Sequence, residues 1–159
     1  MVKLSLEEWR RLAEEGTKIP ITTSLTSLSM EPLIRVYKAP VTFVPIARKP
    51  VPGDVVLFKR TDGAYVCHRV YKTLDDGNTV MTWGDNAEHP DAPIPRSSVF
   101  GLAVSYERDG KQYILDCDEQ REKGLNWLSS KWKRPVYVRY RKLRQKIGDV
   151  KRSVFPDRS

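Results

Sequence analysis

Three Asp-Gly dipeptides, each close to runs of β-branched and aromatic residues, constrain the fold of this 159-residue chain more than any other feature. They occupy positions 62–63, 76–77 and 109–110, and Asp-Gly favours the tight turn of a β-hairpin. The strands that these turns predict are 55–60, 64–73, 79–83, 99–107 and 112–115. Short strands joined by regular turns are typical of a mainly antiparallel β domain that coils into a partial barrel.

The N-terminal segment, residues 1–17, predicts a short amphipathic helix. Ser5 and Glu8 have the spacing of a capping box, and the apolar residues that follow recur at helical intervals. We expect this helix to pack on the β domain. The next segment, 18–23, predicts a strand, and Pro20 favours a position at an edge of the sheet.

The C-terminal segment, 116–159, differs in charge from the predicted β domain, 18–115. Residues 121–159 contain 13 Lys and Arg against 3 Asp and Glu, a net charge of +10, whereas the rest has 15 against 17, a net charge of −2. We predict a linker over 116–124 and then two helical pieces, 125–133 and 136–147, separated by Pro135. In the second piece an apolar stripe is formed by Val136, Tyr140, Leu143 and Ile147.

This basic tail has three possible roles. Its apolar stripe could pack on the β domain, as most amphipathic stripes do. Aromatic residues among lysines and arginines also suit an anionic membrane surface. Nucleic acid is the less expected partner, because no recognised nucleic-acid-binding module is present.

The remaining composition sets the expected compartment. No run of apolar residues approaches the length of a membrane span, and the first residues lack the apolar region of a signal peptide. We therefore expect a cytoplasmic protein, which would also be located at the inner face of the membrane if the tail binds lipid. Cys67 and Cys117 are too few for a disulfide framework, so we expect reduced thiols.

Residues 27–32, Ser-Leu-Ser-Met-Glu-Pro, contain the candidate nucleophile. They lie where the predicted edge strand gives way to a possible helical turn, and Pro32 would suit the first turn of a helix. A serine hydroxyl there lies close to unpaired backbone N–H groups, so that a nucleophile and an oxyanion site can be built together. Ser27 or Ser29 could equally be an ordinary helix N-cap.

His68 is the candidate general base. Neighbouring residues of a strand point to opposite faces, so His68 shares a face with Val66 and Val70 while Cys67 points away. This alternation excludes a nucleophilic Cys67–His68 pair within the strand. A neutral imidazole can take a proton from serine near neutral pH, although a half-buried histidine often has only a structural partner.

Asp85 and Asp91 are the candidate carboxylates. A serine triad needs one carboxylate to hold the histidine, but Gly-Asp-Asn at 84–86 is also a common turn sequence. Together with His68 and His89 these carboxylates could instead bind a metal. The set has no zinc-like spacing, so we expect neither a metal nor another cofactor.

Four segments, in this order along the chain, resemble the boxes of the type I signal peptidase clan. They are 27–32 for the nucleophile, 53–58 for the second box, 67–70 for the general base and 84–91 for the acidic residues. Histidine in place of lysine in the third box is similar to the branch found in archaea, endospore-formers and the endoplasmic reticulum. The chain departs from the clan by Leu28, where glycine is usual, and by having no transmembrane helix.

The resemblance implies a signal-peptidase or LexA-like β fold and a serine endopeptidase. Ser29 would be the nucleophile, His68 the base and Asp91 the carboxylate that orients it. Asp85 would organise the loop, and Ser27 would donate to the oxyanion together with the Ser29 N–H. Lys59 lies in the wrong box for a lysine base, so we interpret it as a solvated strand residue.

The expected partner is a peptide or protein substrate, extended along the edge strand. The resemblance implies small side chains before the cut. The predicted contacts of the substrate are Ile21, Thr22, Thr23 and Met30. A non-catalytic peptide-binding module is the alternative, because the side chain of Leu28 would crowd the backbone close to a substrate.

Overall fold

The computed structural model describes residues 4–25, 27–35, 40–131 and 133–154, with side chains of the last segment through Ile147. Over these ranges the chain has three α-helices and one antiparallel sheet of eight strands that curls into a half-barrel. The helices are α1 (Leu6–Glu14), α2 (Asp118–Leu128) and α3 (Lys133–Val154). The strands are β1 (Ile21–Ser24), β2 (Pro40–Pro45), β3 (Val55–Lys59), β4 (Tyr65–Leu74), β5 (Thr79–Trp83), β6 (Ile94–Pro95), β7 (Val99–Arg108) and β8 (Lys111–Ile114).

The long strand β7 is the centre of the sheet. Its first half pairs with β3, its middle with β2 and its end with β8, which gives the order β1-β2-β7-β3-β4-β5-β6 with β8 beside β7. The pairing of β7 shifts at Thr42/Phe43 and again at Leu57/Phe58, and such irregularities bend a strand and increase its twist. The predicted mainly antiparallel β domain is confirmed.

The two N-terminal predictions are also confirmed. Ser5 and Glu8 form the reciprocal capping box of α1, and the fully buried Trp9 packs this helix into the core. Strand β1 pairs only with β2, so it lies at an edge of the sheet within the described chain.

Buried side chains form two hydrophobic clusters. Cys67 belongs to the cluster of Trp9 and Met30, whereas the ring of His68 packs edge-on against Phe58 of the other cluster. Cys67 and His68 therefore lie on different faces of β4, as strand alternation predicts. Both cysteines are free thiols.

The linker predicted over 116–124 is wrong, because most of it belongs to α2. Arg121 of this helix binds the buried carboxylate of Asp54, and Gly124 lies directly against the guanidinium of Arg69. Tertiary contacts of this kind, rather than local sequence pattern, stabilise most helices in proteins.

The predicted break at Pro135 is also wrong. Pro135 is the third residue of α3, within the first turn, where a missing N–H removes no intrahelical hydrogen bond. Pro32, by contrast, does not begin a helix, because the helical turn near it is a 3-10 turn at Leu28–Met30 that ends before the proline. Within the described part of the chain no helix is long and apolar enough to cross a membrane.

Candidate active site

One cavity brings together the edge strand, the 3-10 turn at Leu28–Met30 and the hairpin of β3 and β4. Its polar lining includes Ser27, Ser29, Arg60 and His68. Its apolar lining is formed by Leu6, Leu25, Phe43, Leu57, Tyr65 and Val66. The turn and strand β4, which are distant in sequence, therefore place two hydroxyls and an imidazole around one open space.

Ser27 and Ser29 lie at the start of the 3-10 turn. The Ser27 side chain caps no N–H of this turn, so the ordinary N-cap interpretation is not supported for Ser27. Instead the Oγ atoms of Ser27 and Ser29 are 2.9 Å apart and hydrogen bond to each other. Met30, the last residue of the turn, is fully buried and anchors the turn in the core.

Asn86 holds this turn from the loop that follows β5. Its backbone N–H donates to the Ser29 carbonyl oxygen at 2.7 Å, and its side-chain amide donates to the Leu28 carbonyl oxygen at 3.2 Å. Sequence reasoning gave Asn86 no role, although the residue belongs to the Gly-Asp-Asn motif that pointed to the loop.

His68 is oriented by Asp91, which was one of the two candidates. Nδ1 of His68 lies 2.6 Å from Oδ2 of Asp91, and the hydroxyl of Thr82 donates to the same oxygen at 2.7 Å. Burial raises the pKa of Asp91, but hydrogen bonds from His68 and Thr82 and the charge of His68 outweigh it and hold this pKa below its ordinary value. Asp91 is therefore an anion at neutral pH.

The other nitrogen of His68, Nε2, faces the 3-10 turn at Leu28–Met30, here called the serine turn, across Gly84. A Cβ atom on Gly84 would lie 2.9 Å from the Ser29 carbonyl oxygen and 3.0 Å from His68 Nε2, which is closer than side chains tolerate. Gly84 therefore permits the close approach of imidazole and turn. Within the described chain Ser29 Oγ hydrogen bonds to Ser27 and not to His68 Nε2.

Asp85 has a different partner. Its carboxylate accepts two hydrogen bonds from Arg69, at 2.9 and 3.0 Å, and Arg69 also donates to the Gly53 carbonyl oxygen at 2.9 Å. Both side chains are buried, and the indole of Trp127 in α2 donates to the Asp85 carbonyl oxygen at 2.8 Å. Asp85 thus ties the loop to β4 and to α2 rather than to the histidine.

Helix α3 braces the same loop and the serine turn. Arg134 donates to the Ala87 carbonyl oxygen, and its guanidinium lies 4.1 Å from the centre of the Trp83 ring. Farther along α3, Tyr137 and Arg141 both bind the carboxylate of Glu31, the residue after the turn, at 3.3 and 2.5 Å. The C-terminal helices therefore contact the candidate site.

Of the four predicted substrate contacts, only Thr23 lines the cavity. Thr22 hydrogen bonds to Thr42, Ile21 packs against the core, and Met30 is fully buried. By alternation Ile21 shares a face of β1 with Thr23, whereas Thr22 lies on the other face. The four substrate contacts stay predictions. Leu28 is not among the residues that line the cavity in the described chain.

Two other reactive groups are not part of the candidate triad, although Cys67 belongs to the lining of the cavity. Burial raises the pKa of Cys67 to about 12, so its thiol stays protonated and is a poor nucleophile. The amine of Lys59 is paired with Glu7 at 2.9 Å, away from the serine turn. Among the described residues, no group of three or more His, Cys, Asp or Glu could hold a metal ion.

Comparison with models of known protein families, with curated proteins and with solved structures gave no match. The resemblance to the signal peptidase clan therefore depends on the four sequence segments alone.

Proposed function

We propose that this protein is a serine endopeptidase of signal-peptidase type, with Ser29, His68 and Asp91 as a catalytic triad. The observation that carries the proposal is the 2.6 Å contact between His68 Nδ1 and Asp91 Oδ2, with Nε2 left facing the turn that contains Ser29. A histidine held in this way has one nitrogen fixed by a carboxylate and the other available to a hydroxyl.

In the first step the Ser29 hydroxyl exchanges its bond to Ser27 for one to His68 Nε2. Oγ attacks the peptide carbonyl carbon while its proton passes to Nε2, and Asp91 stabilises the imidazolium that forms. When the tetrahedral intermediate collapses, the C–N bond breaks and His68 gives the proton to the leaving amine. Water then cleaves the acyl ester by the same route. Catalytic hydrogen bonds that are absent without substrate often form only in the complex.

The developing oxyanion is stabilised by the Ser27 hydroxyl, which is released when Ser29 turns to His68, and by the Ser29 N–H. One such donor is typically worth about 3 kcal/mol of barrier. The peptide lies extended beside β1, whose outer edge is unpaired within the described sheet. The apolar part of the cavity, with Leu25, Leu57 and Val66, suits small apolar side chains before the cut.

Labelling with a fluorophosphonate probe tests the nucleophile. We expect one label per chain on Ser29, found by peptide mass spectrometry, and loss of labelling in Ser29→Ala and His68→Ala. Ser27→Ala is the matched control, because it removes the neighbouring hydroxyl and should only slow the reaction. Lys59→Met should be labelled like the parent protein. Labelling of Ser29→Ala at the parent rate would reject the proposal.

A non-catalytic peptide-binding module is the second candidate, favoured by the hydrogen bond that Ser29 makes with Ser27 instead of His68. Such a module would bind extended peptides in the same cavity but react with no probe. Fluorescence anisotropy with a labelled peptide library, followed by mass spectrometry after prolonged incubation, separates the two. Bound peptide that stays intact, with no probe on Ser29, would support the module and reject the peptidase.

A further inference from the structure

Helix α3 docks on the β domain through one face only. Its contacts come from Arg134, Tyr137, Val138, Arg141 and Lys142, which bind the loop after β5, bind Glu31 or are buried. At 100° per residue these positions share one side of the helix. The opposite side therefore points away from the body of the protein.

The apolar stripe predicted from the sequence lies on that outer side, so packing of this stripe on the β domain is excluded. Its four residues are among the most exposed large apolar side chains of the described chain: Val136 (63%), Tyr140 (53%), Leu143 (59%) and Ile147 (49%). In the sequence the same spacing recurs at Val150 and Val154. A row of exposed apolar side chains of this kind marks an interaction surface.

Basic residues flank the stripe on both sides. Arg139 and Lys146 lie on one flank and Arg144 on the other, and none of the three forms an ion pair within the described chain. Residues 133–147 contain no Asp or Glu, so the outer side of α3 is uniformly positive.

This pattern argues against a second copy of the chain as the occupant. Helices that pair along such a seam bring their flanking residues face to face, and here every such contact would oppose two cations. An occupant must instead present apolar area together with negative charge.

We propose that the outer side of α3 binds the surface of an anionic lipid bilayer, independently of any catalytic role of Ser29. The stripe enters the acyl boundary, where the amphipathic ring of Tyr140 is favoured, and the three flanking cations reach the lipid phosphates. The β domain lies on the other side of the helix, so a flat surface can approach the stripe. The helix lies in the interface and does not span the bilayer.

Sedimentation of the full-length protein with vesicles tests the proposal. Vesicles of equal parts phosphatidylglycerol and phosphatidylcholine should bind it at low salt, pure phosphatidylcholine vesicles should bind it weakly, and added salt should release it. Exchange of Arg139, Arg144 and Lys146 for Gln should lower the partition coefficient about a hundredfold. The variant Leu143→Ser, Ile147→Ser should lower it about tenfold.

Matched controls separate this surface from general charge and exposure. The triple variant Lys18→Gln, Lys72→Gln, Lys111→Gln removes the same charge from exposed positions of the β domain and should bind like the parent. Ile114→Ser removes an equally exposed isoleucine from β8 and should also have no effect. Circular dichroism and a thermal melt of each variant exclude misfolding as the cause.

The proposal would be overturned if the protein bound anionic and neutral vesicles equally. It would also be overturned if the α3 triple variant and the control triple variant lost vesicle binding to the same extent. A protein that ignores anionic vesicles at low salt would overturn it as well. Light scattering that shows a dimer broken by Leu143→Ser, Ile147→Ser would assign the stripe to a second copy instead. Capture of α3 by a synthetic acidic amphipathic helix, without vesicle binding, would assign it to a protein partner.

Discussion

Asp85 and Asp91 lie in one loop but have opposite surroundings. Asp91 contacts His68, which lines the cavity, has 23% of its side chain exposed, and also binds Thr82. Asp85 has no exposed side-chain area, and it forms a two-pronged ion pair with Arg69 beneath α2. The cavity side of the loop thus contains a group that can support proton transfer, whereas the helix side contains a group that fixes the loop.

The two carboxylates differ in the chemistry of the side chain that each one binds. Asp91 contacts an imidazole that can gain and lose a proton, so its charge can stabilise a transient cation. An arginine guanidinium takes no part in proton transfer, so Asp85 serves only to neutralise and orient Arg69. Removing Asp91 should therefore reduce activity, and removing Asp85 should reduce stability.

The largest effect is expected for Asp91→Asn. If the triad operates, the turnover number should fall about 10⁴-fold, because the amide holds the wrong imidazole tautomer. The free energy of unfolding should change little, since Asp91 is partly exposed. Steady-state cleavage, or the rate of fluorophosphonate labelling, measures the loss. A variant that keeps a tenth of the parent rate would mean that Asp91 does not act on His68.

Asp85→Asn should act on stability instead. It leaves the buried guanidinium of Arg69 without its carboxylate, which should cost about 3–5 kcal/mol of unfolding free energy. Urea denaturation measures this cost. The double variant Arg69→Leu, Asp85→Leu removes both charges and should regain much of the stability. If Asp85→Asn unfolds at the parent urea concentration but loses labelling, the two carboxylates do not divide their roles as described.

Gly84→Ala tests the close contact that the loop makes with the Ser29 carbonyl oxygen and with His68. The added methyl group would press on the Ser29 carbonyl oxygen and on His68 Nε2, and so separate them. A displacement of about 1 Å can cost about a hundredfold in catalysis, and we expect a loss of that size in labelling rate. A thermal melt of Gly84→Ala controls for a general loss of stability.

The smallest effect concerns pH and a third carboxylate, Asp54, on the α2 side. Burial raises the pKa of Asp54, but hydrogen bonds from Arg48 and Arg121 lower it by more than burial raises it. The pKa of Asp54 in the folded protein therefore lies below the ordinary value of an aspartate. The stabilisation of the folded protein by ionised Asp54 is therefore full above the ordinary aspartate pKa of about 3.9. It is lost as the pH falls through the lower pKa that Asp54 has in the folded protein. Asp54→Asn should unfold with a shallower dependence on pH in this acid range, as measured by urea denaturation.

Strand positions were predictable because the signals are local. The Asp-Gly turns and β-branched runs predict β5 at 79–83, as observed, and both hairpins within two residues. Helix α2 was not predictable from the same kind of signal. Its first half is polar, and the groups that hold it, Asp54 just before β3 and Arg69 in β4, lie about 50 residues or more away in sequence.

The candidate site shows the same limit. The motifs indicated Ser29, His68 and the two aspartates, and the resemblance assigned Asp91 to His68. The residues alone left that assignment open, because it depends on where β5 places Thr82. Asn86 received no role because its partners are backbone carbonyl groups, which leave no trace in side-chain patterns.

The contacts around the serine turn also determine at what point during synthesis the candidate site can form. Residues 27–30 leave the ribosome early, but Asn86, which clamps the turn, follows nearly 60 residues later, and Arg141, which binds Glu31, follows after more than 100. The loop with Asp85 likewise waits for Trp127. A growing chain therefore lacks the contacts that support its serine and histidine until most of the protein has emerged, so that the candidate site is complete only on a nearly finished molecule.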